Sequence, residues 1–334
     1  MSRFDQVALV AAGLLVAALY GIVASDFFAT GAASQRSSQA VEPVPPQPRR
    51  SEAPASTPVA KVAKPESVFA LPRSEKDHKI FESIGYRLRD VYRHGEVPRV
   101  FIRTLPRDLR TMRRADLRKR AFIKLVLPLV LYANDQVLAD RKRIETLRER
   151  HGWGMPLTVT DQAWLAGKLK EYRLDSLDFD ELLRRTDAVP PSLALAQSAE
   201  ESGWGTSRFA HEGNALFGQR IWDSSNGIVP HERGEGQNFR VRAFDHLKDG
   251  VISYIRNLNT HPAYSSLRRM RASMRRAGLK PDGAQLAEAL RKYSERGEEY
   301  TKNIQTIIRV NELSLFDRVR LRADAPAGEP ASGT

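Results

Sequence analysis

Two adjacent carboxylates, Glu200 and Glu201, close the small-residue stretch Leu193-Ala194-Leu195-Ala196-Gln197-Ser198-Ala199, which opens at Val189-Pro190-Pro191 and stops at Gly203-Trp204-Gly205. The prolines pre-set an extended entry and the fixed dihedral of a first helical turn. The Ala and Leu content suits a helix packed tightly inside a domain, and the glycines end it. The last turn of a helix carries the partial negative charge of unpaired carbonyls, which disfavours an ionised carboxylate and raises its pKa. An acid kept protonated near neutral pH is what protonating a glycosidic oxygen requires. The spacing selects Glu201 as that general acid. Neighbouring helical positions point about 100° apart, so Glu200 cannot aim into the same cleft. The competing reading is a solvated helix end, the ordinary fate of surface carboxylates.

Such an acid needs a groove and a partner. After Gly205 the hydrophobic period changes: Ala215-Leu216-Phe217-Gly218 leads to Ile221-Trp222, Ser224-Ser225-Asn226-Gly227 is turn chemistry, and Phe239-Arg240-Val241-Arg242-Ala243-Phe244 alternates as a half-buried strand does. A small β-lobe therefore follows the helix, and two lobes around a groove suit an extended polysaccharide. Glycoside hydrolysis usually calls for a second carboxylate. The β-lobe offers Glu232, Glu235 and Asp223; Glu235, between Gly234 and Gly236, is preferred, with Glu232 as the alternative. A 2-acetamido group on the substrate could act in its place. Trp204, Phe217, Trp222, Tyr293 and Tyr300 are the rings available to a sugar face. Each is weighed against an interior packing role, which large rings fill most often.

The segments Leu195-Ala196-Gln197-Ser198-Ala199-Glu200-Glu201-Ser202-Gly203-Trp204-Gly205 and Gly213-Asn214-Ala215-Leu216-Phe217-Gly218 together resemble the catalytic motif of the peptidoglycan N-acetylglucosaminidase family, the mannosyl-glycoprotein endo-β-N-acetylglucosaminidase-type domain. Gly227-Ile228-Val229-Pro230 and Asn257-Leu258-Asn259-Thr260-His261-Pro262-Ala263-Tyr264 are similar to its Bax-type branch. The resemblance runs from about Pro190 to Leu313. It implies a lysozyme-like α+β fold, mainly helical, with a β-hairpin closing one side of the cleft. It also implies cleavage of the β-1,4 bond after N-acetylglucosamine in peptidoglycan, a second Glu on the hairpin, and Asn214 among the substrate-binding residues. Relatives carry a Tyr-Ala-Thr-Asp-Pro-x-Tyr-Ala segment where this chain has Tyr293-Ser294-Glu295-Arg296-Gly297-Glu298-Glu299-Tyr300. Their first Tyr faces the acid, a role that passes to Tyr293, although the Thr-Asp-Pro turn is absent here and the spacing is one residue longer. The alternatives are a lytic transglycosylase on the same fold and a non-catalytic wall-binding or scaffold protein.

Around this domain, residues 188–320, the chain divides by composition. Residues 1–28 contain the uncharged apolar run Val7–Ala24, of transmembrane length, preceded by Arg3. It reads as a retained anchor, with a cleaved signal peptide as the alternative because Gly31-Ala32-Ala33-Ser34 suits a peptidase. The expected location is a bacterial inner membrane, single-pass, with the domain in the periplasm, or secretion to the periplasm after cleavage. Residues 29–68 are a Pro/Ala/Ser-rich disordered linker, and 321–334 a disordered tail. Residues 69–187 read as helical and basic. Leu125–Tyr132, interrupted by Pro128, is expected to be a buried helix segment rather than a membrane span. Arg184 and Arg185 are expected on a solvated face. Lys and Arg outnumber Asp and Glu by 53 to 40, a balance suited to an anionic polymer. No nucleic-acid-binding fingerprint accompanies it. The chain has no Cys, which excludes disulfides and thiolate metal sites, and His211, His246 and His261 lack metal-ligand spacing. No cofactor is called for.

Overall fold

The computed structural model describes residues 81, 85–222, 226–230, 238–294 and 296–323. The apolar run at 7–24, the linker, Asp223, Glu232 and Glu235, and the end of the tail lie outside the described residues. In chain order the elements are α1 (Leu88–His94), β1 (Glu96–Val97), α2 (Asp108–Thr111), α3 (Ala115–Gly152), α4 (Val159–Tyr172), α5 (Phe179–Arg185), α6 (Pro191–Ser202) and α7 (Arg208–Gly213). They continue as β2 (Arg220–Ile221), β3 (Gly227–Ile228), β4 (Arg240–Arg242), α8 (Leu247–Thr260), α9 (Ser265–Arg276), α10 (Gly283–Ala287), α11 (Glu298–Val310) and β5 (Arg320–Leu321). The architecture is mainly helical. Strands β2, β4 and β3 form a small antiparallel sheet in that order, with Ile221 opposite Arg240 and Ile228 opposite Val241. A separate parallel pair joins β1 to β5.

Helix α6 is the buried centre. Leu193, Ala194, Ala196, Gln197 and Ser198 are enclosed, so the helix is surrounded on most of its circumference. Small side chains permit this, because they let neighbouring helices approach closely. The neighbours come from both halves of the chain: Leu125, Val126 and Leu129 of α3, Val251 and Leu258 of α8, and Ile304 and Ile308 of α11 share one core with Leu193 and Ala196. The basic upstream region therefore supplies a wall of the same domain rather than a core apart from residues 188–320. A smaller cluster, with Ile144 and Leu147 of α3, Leu165 and Tyr172 of α4 and Leu182 of α5, sits toward the other end of α3.

The expected interruption at Pro128 does not occur: α3 is one continuous 38-residue helix with Pro128 inside it. Proline forgoes one backbone bond there, and dense burial on both sides, between Ala121 and Ala133, holds the helix together. Among the described residues α3 alone has the length and apolarity to cross a membrane, yet 67% of its apolar window is buried inside the domain. It is a core helix, as the sequence suggests for Leu125–Tyr132.

The entry to α6 is clamped by polar groups. Arg271, fully buried, donates to the carbonyls of Arg184, Asp187 and Ala188 at 3.1 Å each. Asn134 of α3 donates to the Val189 carbonyl at 2.7 Å and accepts its N–H at 3.0 Å. The Asp187 carboxylate takes a two-pronged contact from Arg275 at 2.5 Å. Burial pushes its pKa up, but Arg271, Arg275 and Arg141 outweigh that and hold it below the usual value. The solvated face expected around Arg184 and Arg185 is thus corrected: both are partly buried and bind Glu181, and Asp187 beside them is buried. Asp187→Asn would leave Arg271 and Arg275 short of a counter-charge, and a loss of about 3 kcal/mol in folding stability is expected from urea unfolding.

Candidate active site

Helix α6 ends as its sequence requires. Gly203 takes the left-handed conformation at the C-cap, and Trp204 and Gly205 follow with φ of 57° and 78°. Three successive residues in this region turn the chain sharply away from the carboxyl end of the helix. At Gly205 a side chain has no room, since a Cβ would stand 2.7 Å from Leu109 Cδ2 and 2.9 Å from Phe122 Cδ2. Trp204 packs edge-on against Phe122, and Lys119 Nζ lies 5.0 Å from its ring centroid.

Glu201 sits in the last turn, partly exposed, facing a cage of aromatic residues. Tyr300 of α11 donates its O–H to Glu201 Oε1 at 3.0 Å. Glu201 Oε2 lies beside Gly218, where a Cβ would be 3.8 Å away. The Tyr293 ring stacks on Tyr300 with centroids 5.5 Å apart, and its hydroxyl donates to the Phe217 carbonyl at 3.3 Å. The hydroxyl that reaches the acid is therefore that of Tyr300, while Tyr293 packs behind it. The altered segment between the two tyrosines keeps both rings in the site.

The pKa of Glu201 is pushed up to about 7. Burial is the largest cause; the Tyr300 hydrogen bond opposes it, the neighbouring Glu200 adds to it, and Arg296 and Arg220 oppose it. The helix end selected this residue in the sequence, but desolvation is what moves its proton. Arg296 acts on Glu201 only from a distance, because its guanidinium binds Glu200. The two adjacent carboxylates are thereby given different environments: one paired with a cation, the other held by a phenol.

The remaining sequence-selected residues divide by exposure. Phe217 and Tyr300 are buried, with Phe217 stacked 3.8 Å from the Tyr254 ring, so neither offers a face to a ligand. Asn214 is a buried left-handed C-cap of α7 that donates to the carbonyls of Phe244 and Asp245, tying α7 to the segment after β4. Trp222, beside β2, is 68% exposed. Two residues of the cage were not selected. Gln197, one turn before Glu201 on the same helix, donates to the Tyr300 oxygen at 2.9 Å and accepts from the Tyr254 hydroxyl at 2.6 Å. A polar residue at i−4 from the acid inside an Ala/Leu helix was the available signal. Among the described residues, no three His, Asp or Glu side chains gather as a metal site would require.

With this geometry in view, comparison with known proteins is informative. The family model for mannosyl-glycoprotein endo-β-N-acetylglucosaminidase matches residues 178–313. Protein bax of Escherichia coli (strain K12) is 30% identical over 211 residues, covering 61% of this chain and 74% of that protein. This alignment is longer than the family-model match, so the likeness to bax extends beyond residues 178–313. A loose structural likeness links the chain to the catalytic domain of the autolysin Auto from Listeria monocytogenes, with a TM-score of 0.31 and 18% identity over 52% of this chain and 96% of that one.

The raised pKa carries a stability consequence. A carboxyl whose folded pKa lies above its unfolded value favours the fold most when protonated, and that advantage fades as pH rises from about 4.5 to about 7. Glu201→Gln removes the cost of burying the anion. Its melting temperature should match wild type at pH 4 and exceed it at pH 8, by an amount equivalent to roughly 2 kcal/mol. Equal melting curves at both pH values would show that Glu201 titrates as an ordinary surface acid.

Proposed function

Since this chain belongs to the glucosaminidase family, on its Bax-type branch, we propose that it is a peptidoglycan hydrolase cleaving the β-1,4 bond after N-acetylglucosamine, with Glu201 as general acid. The single observation that supports this most is the placement of the Glu201 carboxyl, largely withdrawn from water, with Tyr300 on Oε1 and an Oε2 that no hydrogen bond from the protein ties down among the described residues; burial raises its pKa accordingly. In this reading Tyr300 occupies Oε1, so the acidic proton resides on Oε2, the side facing Gly218. As the glycosidic bond breaks, Oε2 gives its proton to the leaving oxygen and positive charge develops at the sugar's anomeric carbon. Glu235, with Glu232 as the alternative, or the substrate's own acetamido group, would answer that charge until water adds at the anomeric carbon and its surplus proton passes to a carboxylate. The Tyr300 O–H then stabilises the carboxylate left behind, a role that grows as the proton departs.

The exposed Trp222 ring is the proposed platform for a sugar face, and the basic surface suits a wall polymer bearing peptide carboxylates. The apolar run at Val7–Ala24 would tether the domain to the inner membrane on its periplasmic side.

Digestion of purified peptidoglycan, followed by borohydride reduction and mass spectrometry, should give reduced N-acetylglucosamine ends. Anhydro-muramic ends would reassign the protein to the lytic transglycosylases, and retained wall binding without any product would make it a scaffold. Glu201→Gln should lose at least about a thousandfold in kcat with wall binding intact, whereas Glu200→Gln should lose far less. The rate should fall as pH rises through about 7, where the acid gives up its proton. Trp222→Ala should raise KM several-fold and leave kcat near wild type.

A further inference from the structure

The bond between Tyr300 and Glu201 is the visible end of a longer chain. Tyr254 donates to Gln197 Oε1, Gln197 Nε2 donates to the Tyr300 oxygen, and Tyr300 donates to Glu201 Oε1, at 2.6, 2.9 and 3.0 Å. The chain crosses three elements, from α8 through α6 to α11. Tyr254 and Gln197 are fully buried and Tyr300 almost so, which leaves no place for solvent to complete their bonding.

The direction of the chain follows from what each group is able to do. An amide oxygen only accepts, and an amide nitrogen only donates. Among the described residues, Gln197 Oε1 is the acceptor of the Tyr254 hydroxyl proton. Turning the amide over would point its nitrogen at Tyr254 and leave that buried proton without an acceptor. With the amide so oriented, its nitrogen meets the Tyr300 oxygen, and the Tyr300 proton has to face Glu201. We propose that Tyr254 and Gln197 are positioning residues that fix the polarity of the Tyr300–Glu201 hydrogen bond, so that the phenol always donates to the acid. Neither touches the carboxyl. This proposal deepens the hydrolase reading, since it treats Glu201 as the acid whose proton affinity matters.

The polarity has a direct effect. A phenol donating to the carboxylate favours the ionised form of Glu201, whereas one turned to donate to Gln197 would accept from the protonated acid and favour that form. The other groups acting on Glu201 are Glu200 on its own helix, Arg220 on β2, Arg296 before α11, and the Tyr293 phenol, which stacks on Tyr300; Tyr264 faces Tyr254 and Tyr293. None of these supplies the amide or the phenol that sets the direction.

The test follows the titration of Glu201 itself. In the full-length protein carrying 13C-labelled glutamate carboxyls, Glu201→Gln identifies the Glu201 signal, and its midpoint is read beside the pH dependence of kcat/KM on peptidoglycan. Tyr254→Phe frees the amide to turn, and the midpoint and the alkaline limb should both move upward by about one pH unit. Adding Gln197→Met to Tyr254→Phe should bring both back toward wild type, because Tyr300 then has Glu201 as its acceptor. A merely structural role would lower kcat without moving the midpoint and would make the double variant worse than either single one. An unmoved midpoint in Tyr254→Phe, or no recovery in the double variant, overturns the proposal. Should Tyr254→Phe not fold, Gln197→Glu provides two accepting oxygens once ionised, draws the Tyr300 proton away, and should also raise the midpoint; no rise there overturns it equally. A wild-type protein that cleaves no peptidoglycan while its variants show these shifts would reject the hydrolase and leave the polarity standing.

Discussion

A carboxylic acid can be kept protonated at neutral pH only if it is withdrawn from water and kept from cations, and both conditions bear on helix α6. Withdrawal requires the helix itself to be enclosed, which its Ala and Ser positions permit. Most of α6 is enclosed, so the polar groups at its buried entry and around Ser202 find partners within the protein. At the entry, side chains of α3, α8 and α9 satisfy the carbonyls of Leu183, Asp187, Ala188 and Val189. In the first turn, Asp317 accepts from both the Ser192 N–H and its hydroxyl at 2.7 Å, acting as a cap that Pro190 cannot supply. At the exit, the left-handed turn through Gly205 folds back so that its N–H meets the Ser202 hydroxyl at 2.9 Å. The position of the acid is thus settled from both ends of one helix.

Three acids in the same domain, Asp187 buried and Asp317 and Glu201 partly so, show how their surroundings decide the proton. Burial is the first influence on each. Asp187 has three arginines around it and stays below the usual carboxylate range. Asp317 has only hydrogen-bond donors, with Asp282 nearby, and is pushed up to about 6. Glu201 has one phenol, with Glu200 beside it, and goes to about 7. The diversion of Arg296 to Glu200 belongs to this pattern: an arginine placed on Glu201 instead would have given it the fate of Asp187. The Glu-Glu pair is therefore not redundant, since the first member occupies the cation that would neutralise the second.

What the sequence made legible was local. Pro190, Pro191 and Gly203 bounded the helix, and Glu201 fell in its last turn as its position implied. The alternation around Val241 marked β4, with Val241 buried as that pattern implies. What was not legible depends on long separations. Tyr300 meets Glu201 across 99 residues, and Arg275 meets Asp187 across 88. No periodicity announces such pairs, so Tyr300 read as a ring open to a sugar and the charges near Asp187 as a solvated face. Tyr254 is buried, and a buried tyrosine has to place its hydroxyl; the identity of its acceptor, Gln197, is a tertiary fact. Pro128 misled for a related reason: its local cost is real, and a densely packed core absorbs it.

The same separation between local and tertiary information changes the meaning of the net charge. An excess of 53 basic over 40 acidic side chains invites an account in terms of an external anionic partner. Yet Arg271 is fully buried and Arg268 nearly so; burial lowers the pKa of each to about 10, and their guanidinium groups are spent on main-chain carbonyls of the fold. Arginine suits that work because its fork spans several carbonyls at once, which lysine cannot do. Those cations hold the approach to α6 and are invisible to any partner. The charge that remains available is in the exposed set, including Arg110, Arg113 and Arg120 between α2 and the start of α3. Leu109 and Phe122, within that same stretch, pack against the Gly205 turn that follows the acid. The positive stretch and the turn that follows Glu201 are thereby joined through one tight packing contact.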